Sequence, residues 1–262
     1  MSNFETITLT RDDRGVATVT LNRPDKHNAL NAAMIGELTA AADQLAQDED
    51  VRLVVLAGAG RSFCAGGDLG WMREQNEATR AGRIAEASRL AHMLAKLDAL
   101  PQPLIARVHG PAYGGGIGMI CSCDIAVVAG SAKFVLSETR LGLIPATIGP
   151  FVLRALGERH ARALFMNSKP FDAALAREIG LASIVVPGDA LDEAVDREVG
   201  YVLDCAPGAV RDAKALCLHL ARTPPAGQMD WTVEKLAERW ETAEAIEGIG
   251  SFLARQKPSW RR

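Results

Sequence analysis

Two glycine-rich stretches carry the first chemical signal in this chain. The earlier is Phe63-Cys64-Ala65-Gly66-Gly67-Asp68-Leu69, and the later is Gly110-Pro111-Ala112-Tyr113-Gly114-Gly115-Gly116-Ile117-Gly118. Consecutive glycines let the backbone come close to a ligand and present its N–H groups without side-chain interference. Where such a turn opens a helix, the unpaired N–H groups and the helix dipole favour negative charge. Two turns of this kind can each supply one donor to a single oxygen, which is the geometry of an oxyanion hole. Taken singly, each stretch reads as a tight loop with no catalytic role. The later one also imitates a dinucleotide fingerprint: a strand, glycines, a helix, then Glu138 downstream. Met119 stands where that fingerprint needs its third glycine, and the room before the next strand is too short for a crossover helix, so a dinucleotide site is rejected.

Other polar candidates are weaker. His92, His160 and His219 lack metal-ligand spacing, and Cys121-x-Cys123 sits in an apolar run, so no metal site is expected. No G-x-S-x-G elbow occurs. Glu138, in Phe134-Val135-Leu136-Ser137-Glu138-Thr139, is a lone carboxylate that on its own reads as a solvated surface group.

The elements that must position these turns follow from periodicity. Thr6 to Thr10 alternates polar and apolar, Val16 to Leu21 is β-branched, and Asp12-Asp13-Arg14-Gly15 between them is a turn, which predicts an opening hairpin. Asn28 to Asn31 can cap a helix in which Leu38, Ala41, Ala42, Leu45 and Ala46 recur at helical spacing. A buried strand is predicted at Arg52 to Ala57, a helix from about Arg83 to Leu97, and a strand at Leu104 to Val108. The second glycine turn, a short helix and a strand at Ile125 to Val128 follow. Strands alternating with helices predict an α/β fold. Helical patterns then dominate: Ile148 to Leu156, Arg159 to Met166, Ala173 to Ile179, Leu191 to Leu203, Ala209 to Ala221 and Trp231 to Ile246, with one more strand at Ser183 to Val186. The expected division is an α/β core over residues 1–200 and a helical region over 201–262, with Pro224-Pro225-Ala226-Gly227 as a break inside the latter.

Composition sets the outer limits. The chain has 262 residues, 48% hydrophobic and 23% charged, which excludes a disordered or fibrous protein. With Lys+Arg 29 against Asp+Glu 32 the net charge is -3, so no global positive field draws it onto nucleic acid or an anionic membrane. Five cysteines, Cys64, Cys121, Cys123, Cys205 and Cys217, are odd in number and lie mostly in apolar runs, which predicts reduced core thiols. Neither a signal peptide nor a membrane span is visible, and a cytoplasmic location is the expectation.

The two turns, together with Leu21-Asn22-Arg23-Pro24 and Cys123-Asp124-Ile125, resemble the enoyl-CoA hydratase/isomerase (crotonase) family from the hairpin to Lys257-Pro258-Ser259-Trp260. The resemblance implies a spiral of ββα repeats followed by a helical C-terminal region that forms trimers or dimers of trimers. It implies an acyl-CoA thioester as substrate, no separate cofactor, and oxyanion donors at the backbone N–H groups of Gly67 and Gly115. Glu138 aligns with the catalytic glutamate shared by family hydratases and isomerases. Arg23, Lys26, His27, Ala65, Asp68, Leu69 and Lys257 fall where the family contacts CoA, with Arg255 beside Lys257. Trp71, Met72 and Gly118 fall at the acyl pocket.

One departure matters. Family hydratases with two glutamates carry the first where this chain has Gly118, and glycine transfers no proton. Three readings stay open: a hydratase using Glu138 alone, an isomerase in which Glu138 shuttles a proton between carbons, or an acyl-CoA binder without activity. Asp68-Leu69-Gly70-Trp71-Met72 and the stretch from Leu136 to Ala146 resemble the 3-methylglutaconyl-CoA and isoprenoid-degradation hydratase branch, which tilts the expectation toward hydration. A glutamate introduced at Gly118 is then expected to restore a two-carboxylate site.

Overall fold

A computed structural model describes residues 4–261. Strands β1 (Ile7–Arg11) and β2 (Val16–Leu21) form the predicted antiparallel hairpin, with Ile7 opposite Leu21 and Arg11 opposite Ala17. Its turn closes because the Asp12 carboxylate accepts from the N–H groups of Arg14 and Val16 at 2.9 and 3.0 Å. Helix α1 (Ala32–Gln47) starts at Asn31, whose side chain accepts from Met34 N–H, and buries Met34, Ile35, Leu38, Ala41, Ala42 and Leu45 along one face. The chain then returns through β3 (Leu53–Gly58), α2 (Leu69–Glu77), α3 (Arg80–Asp98), β4 (Leu104–Val108), β5 (Ala112–Tyr113), α4 (Gly115–Cys121), β6 (Ile125–Ala129) and β7 (Lys133–Val135). Helix α5 (Gly149–Asn167), β8 (Phe171–Asp172), α6 (Ala173–Glu178), β9 (Ile184–Val186), α7 (Leu191–Leu203), α8 (Pro207–Arg222), α9 (Gln228–Trp240) and α10 (Ala243–Ala254) complete it.

The main sheet runs β1-β2-β3-β4-β6-β9, parallel from β2 onward. Such a sheet needs cover on both faces, and its strands alternate between two cores accordingly. Val54, Leu56, Ala106 and Val108 join Met34, Leu38, Met93 and Leu94 of α1 and α3 in the larger core. Leu53, Val55, Ile105 and Val127 join Leu191, Ala194, Val195 and Val199 of α7 in the other. A small sheet, β5-β7-β8, is pinned by Phe134 stacked on Phe171 at 5.3 Å.

The two helical patterns at Ile148 to Leu156 and Arg159 to Met166 are kept apart as predicted, since Gly157 with φ of 74° interrupts α5 between them. Two differences from the sequence reading have local causes. The pattern Trp231 to Ile246 crosses a break, since Thr242 caps a new helix through Ala245 N–H. Cys205 and Cys217 are exposed, unlike the buried Cys64 and Cys121: Cys205 lies in the link between α7 and α8, and Cys217 on the outer face of α8. No helix among the described residues is long and apolar enough to cross a membrane.

Candidate active site

The first glycine turn is sewn to the segment that leads into α1. Leu30 N–H donates to Gly66 O at 2.7 Å, and Asp68 N–H donates to Leu30 O at 2.8 Å. Buried Asn28 braces the same loop, donating from Nδ2 to the carbonyls of Ala59, Ser62 and Phe63 while its Oδ1 accepts from Arg23 N–H. The helix cap expected in this stretch is Asn31 alone; Asn28 serves the turn. His27 accepts Ala65 N–H at its carbonyl, 2.9 Å, and pairs its Nδ1 with Ser62 Oγ at 3.0 Å. Asp68 caps α2 through the N–H groups of Gly70 and Trp71 and pairs with Arg23 at 3.0 Å. Burial pushes the Asp68 carboxyl up, but Arg23 and those two N–H groups outweigh it and hold it below the usual range.

The second turn lies directly against the first. Gly66 has a φ of +86°, and a Cβ there would stand 3.2 Å from Tyr113 O, so only glycine lets the two backbones touch. Gly67 N–H donates to no backbone carbonyl among the described residues. Gly115 is the first residue of α4, so its N–H has no carbonyl one turn earlier in the helix. Leu30 spans both turns: it bridges to Gly67, and its Cδ1 lies 2.6 Å from where a Cβ on Gly115 would be. Two unpaired N–H donors thus belong to turns held in contact.

Glu138 comes to this junction from the other side. It opens a short 3-10 turn, Glu138–Leu141, after β7, and Gly114 N–H donates to Val135 O at 3.0 Å. A Cβ on Gly114 would sit 3.0 Å from Glu138 Oε1. Glu138 Oε2 is buried and accepts a hydrogen bond from no described residue. Burial pushes its pKa above the ordinary carboxylate value. A half-buried, unpaired carboxyl is costly, and such groups concentrate where proton transfer is performed.

The remaining candidates divide. Trp71 Cζ3 and Met72 Cγ lie 3.6 and 3.4 Å from the Cβ position of Gly67, so both join the junction. Gly118 does not open onto it: a Cβ there would be 2.5 Å from Ile148 Cγ2 and 3.5 Å from Leu94 Cδ1. The expected space for a second carboxylate is therefore filled by aliphatic side chains. Arg23 is held inside, donating to Ala29 O at 2.6 Å as well as to Asp68, while Lys26 and Leu69 are exposed beside the turn. Arg255 and Lys257 lie exposed after α10, which packs on α9, and do not join the group. Cys64 and Cys121 are inert by environment, since burial pushes their thiols up to about 12. Among the described residues no three His, Cys, Asp or Glu side chains are grouped to hold a metal ion.

Sequence reading missed Asn28 and Ile148. Asn28 had a signal, a polar residue between His27 and the apolar Ala29-Leu30; Ile148 had none, because its contact with Gly118 is made across α4 and α5.

A family model described as enoyl-CoA hydratase/isomerase matches residues 11–262. The chain belongs to the enoyl-CoA hydratase/isomerase family. Among solved structures, an enoyl-CoA hydratase from Shewanella pealeana superposes with a TM-score of 0.94 at 35% identity, covering 98% of this chain and 96% of that one. One from Mycobacterium smegmatis gives 0.94 at 34% identity, over 98% and 100%. A Thermus thermophilus protein, provisionally named an enoyl-CoA hydratase, is 34% identical over 93% of this chain and 96% of its own. The family's crotonase fold is thus the fold of this chain, helical C-terminal region included. As a crotonase-superfamily member it is an enzyme, and the family's acyl-CoA chemistry is consistent with a site built from backbone donors and one carboxyl.

Proposed function

We propose that this enzyme adds water across the double bond of a 2-enoyl-CoA thioester. The observation that carries the reading is the buried, unpartnered Glu138 Oε2 at the junction of two turns that each offer a free N–H. Gly67 and Gly115 N–H groups hold the thioester oxygen as negative charge develops there, each donor of this kind being worth about 3–4 kcal/mol of barrier. Glu138, acting as base, takes a proton from water as the hydroxyl adds to C3. Electrons move onto the thioester oxygen, and the protonated Glu138 then delivers its proton to C2, leaving a 3-hydroxyacyl thioester. The raised pKa suits both halves of that exchange.

CoA contacts come from the first turn, Ala65, Asp68 and Leu69, with Arg23, Lys26 and His27 beside it. Lys257 is assigned to a neighbouring subunit's CoA, which makes the working form a homotrimer or a dimer of trimers. The likeness of the Asp68 to Met72 stretch to the 3-methylglutaconyl-CoA branch favours a branched acyl group.

One observation favours a second reading. With Ile148 filling the space beside Gly118, a single carboxyl faces the substrate, which also suits a Δ3,Δ2-enoyl-CoA isomerase that moves one proton between carbons. Incubation with crotonyl-CoA, 3-methylglutaconyl-CoA and a 3-enoyl-CoA separates the cases by product mass. Gain of one water supports hydration, double-bond migration at constant mass supports the isomerase, and no change with any thioester leaves only a binder.

A further inference from the structure

Helix α2 has no fully buried residue; Trp71 is its one side chain packed against the larger core, and polar contacts hold the rest. Asp68 secures its start. At its end Arg83 of α3 donates from Nε to Gln75 O and from Nη2 to Asn76 O, both at 2.8 Å. Between them the Trp71 indole Nε1–H donates to Glu86 Oε2 at 3.1 Å. The other oxygen of Glu86 accepts from Arg89 Nη1 at 2.8 Å, and Arg89 Nη2 donates to Ala32 O at 3.0 Å, where α1 begins. The indole is thus referenced through α3 to the rigid frame of the sheet. The bonds from Arg89 and Trp71 hold the Glu86 carboxyl below its usual range, so its acceptor is ionised near neutrality and the indole bond is charge-assisted. The carbon edge of the same ring stands beside Gly67 and packs against the larger core.

We propose that Glu86 is a positioning residue that locks Trp71 as the wall ending the acyl chamber beside Gly67, and so limits the length of acyl chain the enzyme accepts. The proposal rests on the acyl-CoA reading above. Without the Glu86 bond the indole, only partly buried on a helix with no fully buried residue, is free to turn on χ1 and χ2, whereas the locked ring presents a fixed boundary. Because a wall discriminates by contact, the effect belongs to the relative affinity of long and short thioesters rather than to proton transfer at Glu138.

The test uses the full chain and saturated thioesters that cannot turn over. Calorimetric affinities for butyryl-CoA and decanoyl-CoA are compared in wild type, Glu86→Ala, Glu86→Gln, Trp71→Phe and the Glu86→Ala/Trp71→Phe double variant. The decanoyl preference should rise by about tenfold in Glu86→Ala and in Trp71→Phe, within the range one methylene commands in a hydrophobic pocket. The double variant should gain no more than either single one, since both remove the same bond. Glu86→Gln keeps one oxygen for the indole but turns its amide NH2 toward the Arg89 donor and loses the charge, so its preference should fall between wild type and Glu86→Ala. Circular dichroism checks each fold, and Trp71→Phe with Glu86→Gln carries the test should Glu86→Ala unfold. An unmoved preference in Glu86→Ala and Trp71→Phe, or additive effects in the double variant, would overturn the lock. A wild type that binds neither thioester would instead sink the acyl-CoA reading itself.

Discussion

A carboxyl whose folded environment favours its protonated form makes two demands, one on rate and one on stability. If Glu138 moves the proton, Glu138→Gln should lower turnover of the best thioester by about 100- to 10,000-fold while acyl-CoA binding survives. Turnover within a few-fold of wild type would redirect the search to Asp68 or Glu74. The stability consequence has a definite sign. Folding favours the protonated carboxyl, so the native state binds more protons than the unfolded chain as pH rises from the ordinary value of 4.5 through the raised one. Wild-type stability therefore falls across that window. Glu138→Gln stays neutral, so the difference in melting temperature, variant minus wild type, should grow from low pH to neutrality; a difference independent of pH would mean the carboxyl is not raised. The backbone donors make a separate prediction. Gly115 is the first residue of α4, a position that tolerates proline because its N–H has no helical partner. Gly115→Pro should fold, with Leu30 shifting to admit the ring, yet lose about 100- to 1,000-fold in rate as the donor disappears. A folded Gly115→Pro protein with full turnover would remove Gly115 from the oxyanion role.

At the scale of elements, α4 and α5 close the side of the junction that a second carboxylate would occupy. Even Gly118→Ala places a Cβ 2.5 Å from a methyl of Ile148, itself 2% exposed, and should cost about 1–3 kcal/mol in denaturant unfolding. Gly118→Glu should destabilise further and add nothing to hydration; a stable variant with faster hydration would show that Ile148 yields. The closeness of Ile148 to Gly118 runs against the expectation from sequence, and the reason shows where sequence reading stops. The hairpin, α1, β4 and α7 were legible because each carries enough residues for a period of two or 3.6 to be counted. Strands β5, β7 and β8 have two or three residues and no period, and α2 has no buried face to mark it. The glycine turns were legible as chemistry because their residue type alone implies close backbone approach. What stands over Gly118 depends on how α5 lies across α4, and no local pattern in either helix records that crossing. Glu138 shows the same division: the apolar run Phe134-Val135-Leu136 before it was visible, but its nearness to Gly114 arises from the pairing of β5 with β7.

At the scale of the whole molecule, the outermost helices carry apolar surface that this chain alone leaves uncovered. Met229, Val233, Leu236 and Trp240 on α9 and Ile246, Phe252 and Leu253 on α10 are all exposed, Phe252 at 81%. Contiguous apolar surface of this kind marks association sites, in keeping with the proposed homo-oligomer. Leu236→Glu and Phe252→Glu should each lower the assembled mass seen by light scattering, whereas a wild type already monomeric would remove the basis for assigning Lys257 to a neighbour's CoA. The helix that carries α9 and α10, α8, is attached in an unusual way. Its one buried residue is Lys214, which donates to Gln102 O and pairs with Asp124 at 2.6 Å. Arg222 pairs with Asp98, which Arg154 also holds, and Arg211 donates to the carbonyls of Glu49 and Val51. None of the described α8 side chains belongs to either apolar core. Heat-capacity change and denaturant sensitivity both follow the surface newly wetted on unfolding, apolar surface raising the former. Parting this polar seam would wet little hydrocarbon, so the C-terminal helices could come away from the core with scarcely any calorimetric step in heat capacity. That detachment would be almost invisible to urea.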